Sequence, residues 1–285
     1  MAIETLGIVG SGIMGSGIAE VAAKAGVTVV LRSRKQESAD AMVAALDKSL
    51  ARQVEKGKLT QAEADEATAR VSATVDLDAL AGCDLVLESV VEDLDTKRQL
   101  FGELDRIVKD GAILATNTST LPVVEMAVET GRPERVVGIH FFNPAPAMSL
   151  VEVVRTLVSS DETVAEATGF AEACGKSPVV VEDRAGFIVN ALLFPYLNNA
   201  VRMLENRTAS REDIDAAMKG GCNFPMGPLA LLDLVGLDTS VAILDALYAE
   251  FRDPNYAAVP LLRRMVVAGH LGRKSGRGFY DYSRR

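Results

Sequence analysis

The sequence predicts an α/β protein with a Rossmann-type, doubly wound and mostly parallel sheet, an inserted helical hairpin and an all-α C-terminal domain. An apolar strand pattern at 3–9 leads directly into Gly10-Ser11-Gly12-Ile13-Met14-Gly15 and then into a helical pattern. Strand and helix patterns continue to about residue 181, and only helical patterns follow from Phe187. We therefore expect a dinucleotide-binding Rossmann domain at 1–185 and a helical domain at 186–285.

The glycine-rich segment predicts where a dinucleotide binds. Gly10 allows a tight turn, Gly12 lets the backbone approach a pyrophosphate, and Gly15 permits close packing of helix on strand. The free N–H groups and positive dipole at the helix start favour the phosphates. We expect the cofactor to be bound by Gly10, Gly12, Ile13, Met14 and Gly15.

The end of the second strand, 27–31, bears on the type of nicotinamide cofactor. An NAD site usually has an acidic residue there to bind the adenosine ribose. This chain has Arg32-Ser33-Arg34, and no carboxylate appears before Glu37. Guanidinium groups bind a 2′-phosphate, which a carboxylate would repel, so the sequence favours NADP, with NAD as the alternative. The same cations could instead be solvated surface charges.

Residues of about 38–70 hold two helical patterns, and this insertion predicts a helical hairpin. The second helix opens at Thr60 with a capping-box pattern that includes Glu63. Basic residues, among them Arg52 and Lys56, cluster near the turn. In a chain of net charge −9 such a cluster could bind a phosphorylated ligand, although a solvated face is the alternative.

Two further strand patterns end in polar residues. The strand at 85–91 is followed by Glu92 and by a helix at about 94–108, and the strand at 112–115 is followed by Asn117 and Ser119. Ligands of open α/β sheets bind beyond the carboxyl ends of the strands, so these residues should line one crevice. Ser119 could bind a substrate oxygen or cap a helix.

His140, one of two histidines, ends an apolar run just before an Asn143-Pro144 turn. Glu152 lies in a second apolar run and is the natural partner for that imidazole. Without such a partner, a histidine beside an apolar strand is more often a core residue than a catalyst. A helix at about 161–174 and a strand at 178–181 complete the first domain.

The C-terminal domain shows helical patterns at 187–206, from Ser210, at about 229–250 and at 258–268. Pro195 should kink the first of these helices. Helices so apolar in a domain of about 100 residues suggest burial against a second copy of the chain.

Composition narrows the class of protein further. With 285 residues the chain suits two domains, and 48% hydrophobic and 24% charged residues suit a globular core. The net charge disfavours nucleic acid and anionic membranes as partners. The odd, scattered Cys83, Cys174 and Cys222 suggest reduced thiols, and signal and membrane-spanning patterns are absent, so we expect a cytoplasmic protein.

Several motifs occur in an order that resembles a known family, the L-3-hydroxyacyl-CoA dehydrogenases, and most closely its bacterial 3-hydroxybutyryl-CoA dehydrogenases. The resemblance covers nearly the whole chain. Beyond the glycine-rich segment, it rests on Asn117-Thr118-Ser119, His140-Phe141-Phe142-Asn143-Pro144, Gly186-Phe187-Ile188-Val189-Asn190, Pro225-Met226-Gly227-Pro228 and Leu271-Gly272-Arg273-Lys274-Ser275-Gly276-Arg277-Gly278-Phe279-Tyr280.

This resemblance implies hydride transfer between a nicotinamide cofactor and a (3S)-3-hydroxyacyl-CoA, with a homodimer formed through the helical domain. It implies His140 as general acid and base, Glu152 as its orienting partner, and Ser119 and Asn190 at the substrate's 3-oxygen. Cofactor contacts are implied for Glu92, Lys97, Asn117 and Asn143, and coenzyme A contacts for Arg52 and Lys56. Two departures are Ser33, where many relatives have the ribose-binding acid, and Ala191, where relatives often have arginine.

Two alternatives differ in class. One is a dehydrogenase of a free 3-hydroxy acid that uses a catalytic lysine, but no motif of that kind is present. The other is a non-catalytic dinucleotide-binding protein, which would not require His140 and Glu152 together. Chain-length preference, direction and pathway, including fatty-acid metabolism, stay open at this level.

Overall fold

The computed structural model describes residues 3–283, and the chain divides into two compact units between Asp183 and Arg184. That division falls two residues before the boundary expected from the sequence. Within the described residues, no helix combines the length and the apolar character needed to cross a membrane.

The first unit is built on one eight-stranded sheet with the order β3-β2-β1-β4-β5-β6-β7-β8. Neighbouring strands run parallel except for the antiparallel pair β6 and β7. The strands are β1 (Thr5–Val9), β2 (Thr28–Arg32), β3 (Val71–Thr74), β4 (Leu85–Glu88), β5 (Ile113–Thr116), β6 (Val136–Phe141), β7 (Leu150–Arg155) and β8 (Ser177–Glu182).

The described part of this unit, residues 3–183, has six α-helices: α1 (Ile13–Lys24), α2 (Gln36–Glu55), α3 (Gln61–Ala69), α4 (Leu94–Ile107), α5 (Val123–Ala127) and α6 (Asp161–Ala173). The main core forms where apolar strand residues meet buried residues of α1, α2 and α6. Helices α2 and α3 form the expected hairpin, and the reciprocal Thr60 and Glu63 capping box is present. The predicted fold class is confirmed.

Two strands differ from the sequence prediction. The edge strand β3 was not expected, because Val71–Thr74 is too short and too polar to show a clear alternation. Strand β4 ends at Glu88 rather than at Val91. Just beyond the strand end, the Glu88 carboxylate accepts the N–H of Val90 at 2.5 Å, so this N–H is satisfied by a side chain of its own segment.

The second unit has its own core, and its described residues, 184–283, form five α-helices: α7 (Val189–Glu205), α8 (Arg211–Cys222), α9 (Pro228–Val235), α10 (Leu237–Phe251) and α11 (Pro260–Val267). Pro195 lies inside α7, which continues through it as one helix. The prediction of one helix at 229–250 was wrong. Gly236, at φ 104°, separates α9 from α10, because this backbone conformation is incompatible with a continuous helix.

Candidate active site

The carboxyl ends of three neighbouring parallel strands bring the predicted polar residues together. Strands β4, β5 and β6 are adjacent, with Glu88 opposite Thr116 and Thr116 opposite Gly138 in the ladders. Asn117 follows β5 directly, and its Oδ1 accepts the N–H of Phe141 at 2.8 Å. The residue that precedes Phe141 is His140, so the amide of Asn117 fixes the end of the strand that carries the histidine.

His140 and Glu152 form the pair that the sequence predicted. They occupy directly opposed positions of the antiparallel strands β6 and β7. His140 Nδ1 lies 2.8 Å from Glu152 Oε2, and the two residues are only 6% and 1% exposed. Direct opposition brings Cβ atoms to about 4.5–5.5 Å, close enough for this contact with both side chains in the sheet surface.

The pairing determines the proton arrangement of the imidazole. An ionised carboxylate can only accept a hydrogen bond, so Nδ1 carries the hydrogen when His140 is neutral. Nε2 then carries the ring lone pair and is the nitrogen that can take up a proton. The ring of Phe142 packs against the imidazole, with centroids 4.4 Å apart, and helps to fix its plane. The pair is therefore oriented for reversible proton transfer.

The loop between β6 and β7 carries Asn143, whose peptide bond to Pro144 is cis. Lys176, directly before β8, donates from Nζ to the carbonyls of Ala145 at 2.7 Å and Met148 at 2.9 Å. Burial lowers the pKa of this lysine. Its ammonium thus holds two carbonyl groups of the loop. Asn143, in the same loop, is exposed.

Ser119 is held through its backbone by Glu92. Glu92 Oε1 accepts the N–H of Ser119 at 3.1 Å and also the hydroxyl of Thr118. Lys97 is 1% exposed, and its Nζ lies 2.6 Å from Glu88 and 3.2 Å from Glu92. The structure therefore places Lys97 beneath the surface, against two carboxylates, whereas Glu92 is 39% exposed in its side chain.

The glycine-rich segment forms a cradle that suits a pyrophosphate. A Cβ on Gly10, at φ 134°, would lie 2.2 Å from the Ser89 carbonyl oxygen. A Cβ on Gly15 would lie 2.4 Å from the carbonyl oxygen of Gly10. Gly12 has nothing within 4 Å of such an atom, so space for a ligand remains above it. Helix α1 begins at Ile13, which leaves the first-turn N–H groups of Ile13, Met14 and Gly15 available to an anion.

A cavity of about 510 Å³ extends from this cradle, within the usual size range of ligand sites. Its walls include the predicted Gly10, Gly12, Arg32, Ser33 and Arg34. Ser33 is 3% exposed, and Arg32 Nε donates to the carbonyl of Val75 at 3.3 Å. The cavity is open beside the cradle, so the residues present fit a dinucleotide.

Helix α4 supplies a wall of this cavity that the sequence analysis missed. The wall consists of Thr96, Gln99, Leu100 and Glu103. Their spacing of three to four residues places them on one helical face, and this pattern could have indicated a ligand-facing surface.

The remaining predicted site residues lie on other elements. Arg52, in the last turn of α2, and Lys56, its C-cap residue, are both exposed. Asn190 lies in the first turn of α7 in the second unit and is 8% exposed.

Comparisons with known proteins cover both units. Residues 5–184 match the family model described as 3-hydroxyacyl-CoA dehydrogenase, NAD binding domain, and residues 186–282 match the C-terminal domain of the same family. The chain is 50% identical over 287 aligned positions to the 3-hydroxybutyryl-CoA dehydrogenase of Mycobacterium tuberculosis, covering 99% of each protein. It is 47% identical over 279 positions to that of Clostridioides difficile, covering 98% of this chain and 99% of the relative.

A solved structure agrees with these sequence matches. The crystal structure of (S)-3-hydroxybutyryl-CoA dehydrogenase from Ralstonia eutropha matches with a TM-score of 0.96 and 44% identity, over 99% of this chain and 100% of that one. Similarity of this extent in sequence and in structure has one explanation: the chain belongs to the 3-hydroxyacyl-CoA dehydrogenase family.

Proposed function

We propose that this chain interconverts a (3S)-3-hydroxyacyl-CoA and the corresponding 3-oxoacyl-CoA, with 3-hydroxybutyryl-CoA and acetoacetyl-CoA as the first substrates to test. The observation that carries the proposal is the buried contact of 2.8 Å between His140 Nδ1 and Glu152 Oε2. Members of this family oxidise a secondary alcohol, and that reaction needs an acid–base group. The contact between His140 and Glu152 supplies one. The relatives from Mycobacterium tuberculosis and Clostridioides difficile are named 3-hydroxybutyryl-CoA dehydrogenases, which supports a short acyl chain.

His140 moves the proton in this proposal. During oxidation, Nε2 takes the hydroxyl proton, and the carboxylate of Glu152 stabilises the imidazolium that forms. During reduction, the imidazolium returns that proton to the substrate oxygen. The nicotinamide, when bound, accepts or supplies the hydride.

Other residues of the first unit orient the reactants. Ser119, held through its N–H by Glu92, offers its hydroxyl to the substrate's 3-oxygen, where a positioned dipole stabilises developing charge. Asn143 contacts the nicotinamide and the substrate, and Asn117 contacts the cofactor while it fixes the end of β6. In the second unit, a hydrogen bond from Asn190 to the 3-oxygen stays a prediction.

A nicotinamide cofactor follows from the family, and we propose NADP as the preferred form. Arg32, Ser33 and Arg34 line the cavity beyond β2, where a carboxylate would be needed to select NAD. Arg34 is exposed at the cavity and can pair with a 2′-phosphate.

The phosphates of coenzyme A have a proposed site on the helical hairpin. Arg52 and Lys56 are four residues apart at the end of α2 and therefore share a face. Replacing both by Ala should raise the KM for acetoacetyl-CoA. The KM for an acetoacetyl thioester of N-acetylcysteamine, which has no phosphate, should stay unchanged.

We also propose a homodimer formed through the helical unit. Several of its apolar side chains are exposed in the single chain, including Leu192 at 72%, Leu234 at 49% and Val267 at 89%. Sedimentation at micromolar concentrations should give twice the chain mass, and Leu192→Asp should shift the protein towards the monomer.

The decisive experiment is acetoacetyl-CoA reduction with NADPH and NADH in turn. We expect turnover with both and a kcat/KM at least about tenfold higher with NADPH, as one charge-assisted contact would give. A higher kcat/KM with NADH overturns the cofactor preference alone. Turnover of free acetoacetate in place of the thioester overturns the substrate class.

A further inference from the structure

Glu88 is a fully buried carboxylate at the end of β4, and the proposed reaction does not use it directly. It is 0% exposed, and both of its oxygens are bonded. Oε1 accepts from Lys97 Nζ at 2.6 Å and from the N–H of Val90 at 2.5 Å, and Oε2 accepts the hydroxyl of Thr116 at 2.7 Å. Burying a carboxylate costs free energy unless its oxygens are hydrogen-bonded. The bonds that satisfy Glu88 reach three different segments.

One of these bonds reaches the cofactor cradle. Val90 and the neighbouring Ser89 line the dinucleotide cavity. The carbonyl of Ser89 is the group that approaches Gly10 so closely that any side chain there would collide with it. By holding the N–H of Val90, Glu88 fixes the wall against which the glycine-rich segment packs.

A second bond leads to the substrate side. Lys97 Nζ, held by Glu88, also lies 3.2 Å from Glu92 Oε2. The other oxygen of Glu92 accepts the N–H of Ser119 and the hydroxyl of Thr118. One ammonium thus lies between two carboxylates, and its position depends on both. Removing the charge of Glu88 would let Lys97 move towards Glu92 and displace the segment that carries Ser119.

We infer that Glu88 is a positioning residue that aligns the cofactor cavity with Ser119 by holding Val90, Thr116 and Lys97 in one buried cluster. This inference rests on the proposed function for the role of Ser119. Lys97, which is buried, then acts on the position of Ser119 indirectly, through Glu92. A displacement near 1 Å at a reacting group can cost about a hundredfold in rate, so the effect should be measurable.

The first test is a double-mutant cycle of Glu88→Gln and Lys97→Met. Each single variant should lower kcat/KM for acetoacetyl-CoA by about tenfold or more. The fold loss of kcat/KM in the double variant should be much smaller than the product of the two single losses, because both charges are then absent. Losses that simply multiply, or Glu88→Gln with wild-type kcat and KM values, overturn the inference.

A second set of variants guards against poor folding. Thr116→Val removes the hydroxyl that donates to Glu88 and accepts the N–H of Thr118 at 3.1 Å, and Thr116→Ser restores it. We expect a reduced kcat/KM for the first variant and recovery in the second. Asp105→Asn breaks another ion pair of α4, with Arg132 at 2.7 Å, and serves as the matched control. It should lower the melting temperature without changing kcat or KM, and a Glu88→Gln variant that behaves in the same way contradicts our inference.

Calorimetric titration with NADPH separates this inference from the proposed reaction. Glu88→Gln should raise the dissociation constant for NADPH. This expectation would hold even if the wild-type chain turned over no acyl-CoA. Unchanged affinity for the dinucleotide, in a variant that is folded, would overturn the link to the cavity wall.

Discussion

Glu152 faces His140 from the opposed position of an antiparallel strand pair, with 2.8 Å between Oε2 and Nδ1. Both residues are part of the ladder itself, so the backbone hydrogen bonds of β6 and β7 set their separation. The separation of this proposed catalytic pair therefore depends on the strand ladder, and the ring of Phe142 helps to fix the imidazole plane.

We expect Glu152→Gln to lower kcat by up to about 10⁴-fold, the loss known when the orienting carboxylate beside a catalytic histidine is replaced by an amide. The glutamine amide can donate to Nδ1 and so place the hydrogen on Nε2, where it blocks proton uptake. The kcat should be measured by acetoacetyl-CoA reduction, beside His140→Gln as the reference for complete loss. Cofactor affinity should stay near wild type in both variants. Wild-type kcat in Glu152→Gln would show that the carboxylate does not orient the imidazole.

Gly10→Ala and Gly12→Ala should fail for different reasons. At Gly10 a Cβ would lie 2.2 Å from the Ser89 oxygen, at a backbone φ of 134°, so we expect a large fall in melting temperature. At Gly12 nothing lies within 4 Å, so the variant should keep its stability but bind dinucleotide weakly, because the methyl group occupies the phosphate space. Thermal unfolding and cofactor titration separate the two effects. Equal melting temperatures would contradict this account of the cradle.

Lys176→Met should loosen the loop that carries Asn143. The substitution leaves the carbonyls of Ala145 and Met148 without the donor that now joins them. We expect a several-fold lower kcat and a higher KM for the cofactor, with the pH dependence of kcat unchanged. Lys24→Met, which removes an exposed lysine bonded to Gln53, is the matched control and should keep wild-type kinetics. The prediction fails if both variants behave alike.

Asp84→Asn should reveal a pH-dependent contribution to stability. Burial acts to raise the pKa of Asp84, but hydrogen bonds from Lys109 and from the N–H groups of Thr5 and Glu4 outweigh it and hold the pKa below its usual 3.8. A carboxyl with a lowered pKa stabilises the fold above its unfolded-state pKa, and this contribution is lost as the pH falls through the folded-state value.

The free energy of unfolding of Asp84→Asn should therefore be roughly 1–2 kcal/mol below wild type at pH 7. The difference should shrink below about pH 4, as the carboxyl becomes protonated. Urea unfolding at several pH values measures it. A constant difference between pH 7 and pH 3 would mean that the charge of Asp84 does not contribute.

The sequence predicted the contact between His140 and Glu152 because local signals coincided there. His140 ends an apolar strand before an Asn-Pro turn, and Glu152 interrupts the next apolar run. The glycine-rich segment and the Thr60 capping box were equally readable, since each depends on residues close in sequence.

Other features depend on contacts between distant segments and left no local signal. Lys97 looks like an ordinary solvent-facing residue of an amphipathic helix, yet it lies buried between Glu88 and Glu92. The hydrogen bonds of Lys176 reach the carbonyls of Met148 and Ala145, which precede it in the sequence by 28 and 31 positions. Short elements were also missed, such as β3, where four residues do not establish a period.

The antiparallel pairing of β6 with β7 has a consequence for how the family can change. Side chains of a strand alternate between faces, so a slip of one residue would move Glu152 to the other side of the sheet. The ladder from Gly138 to Phe141 prevents such a slip, whatever the length of the loop at 142–149. Insertions in that loop beyond Phe142 and Asn143 would therefore change its length while leaving His140 opposite Glu152.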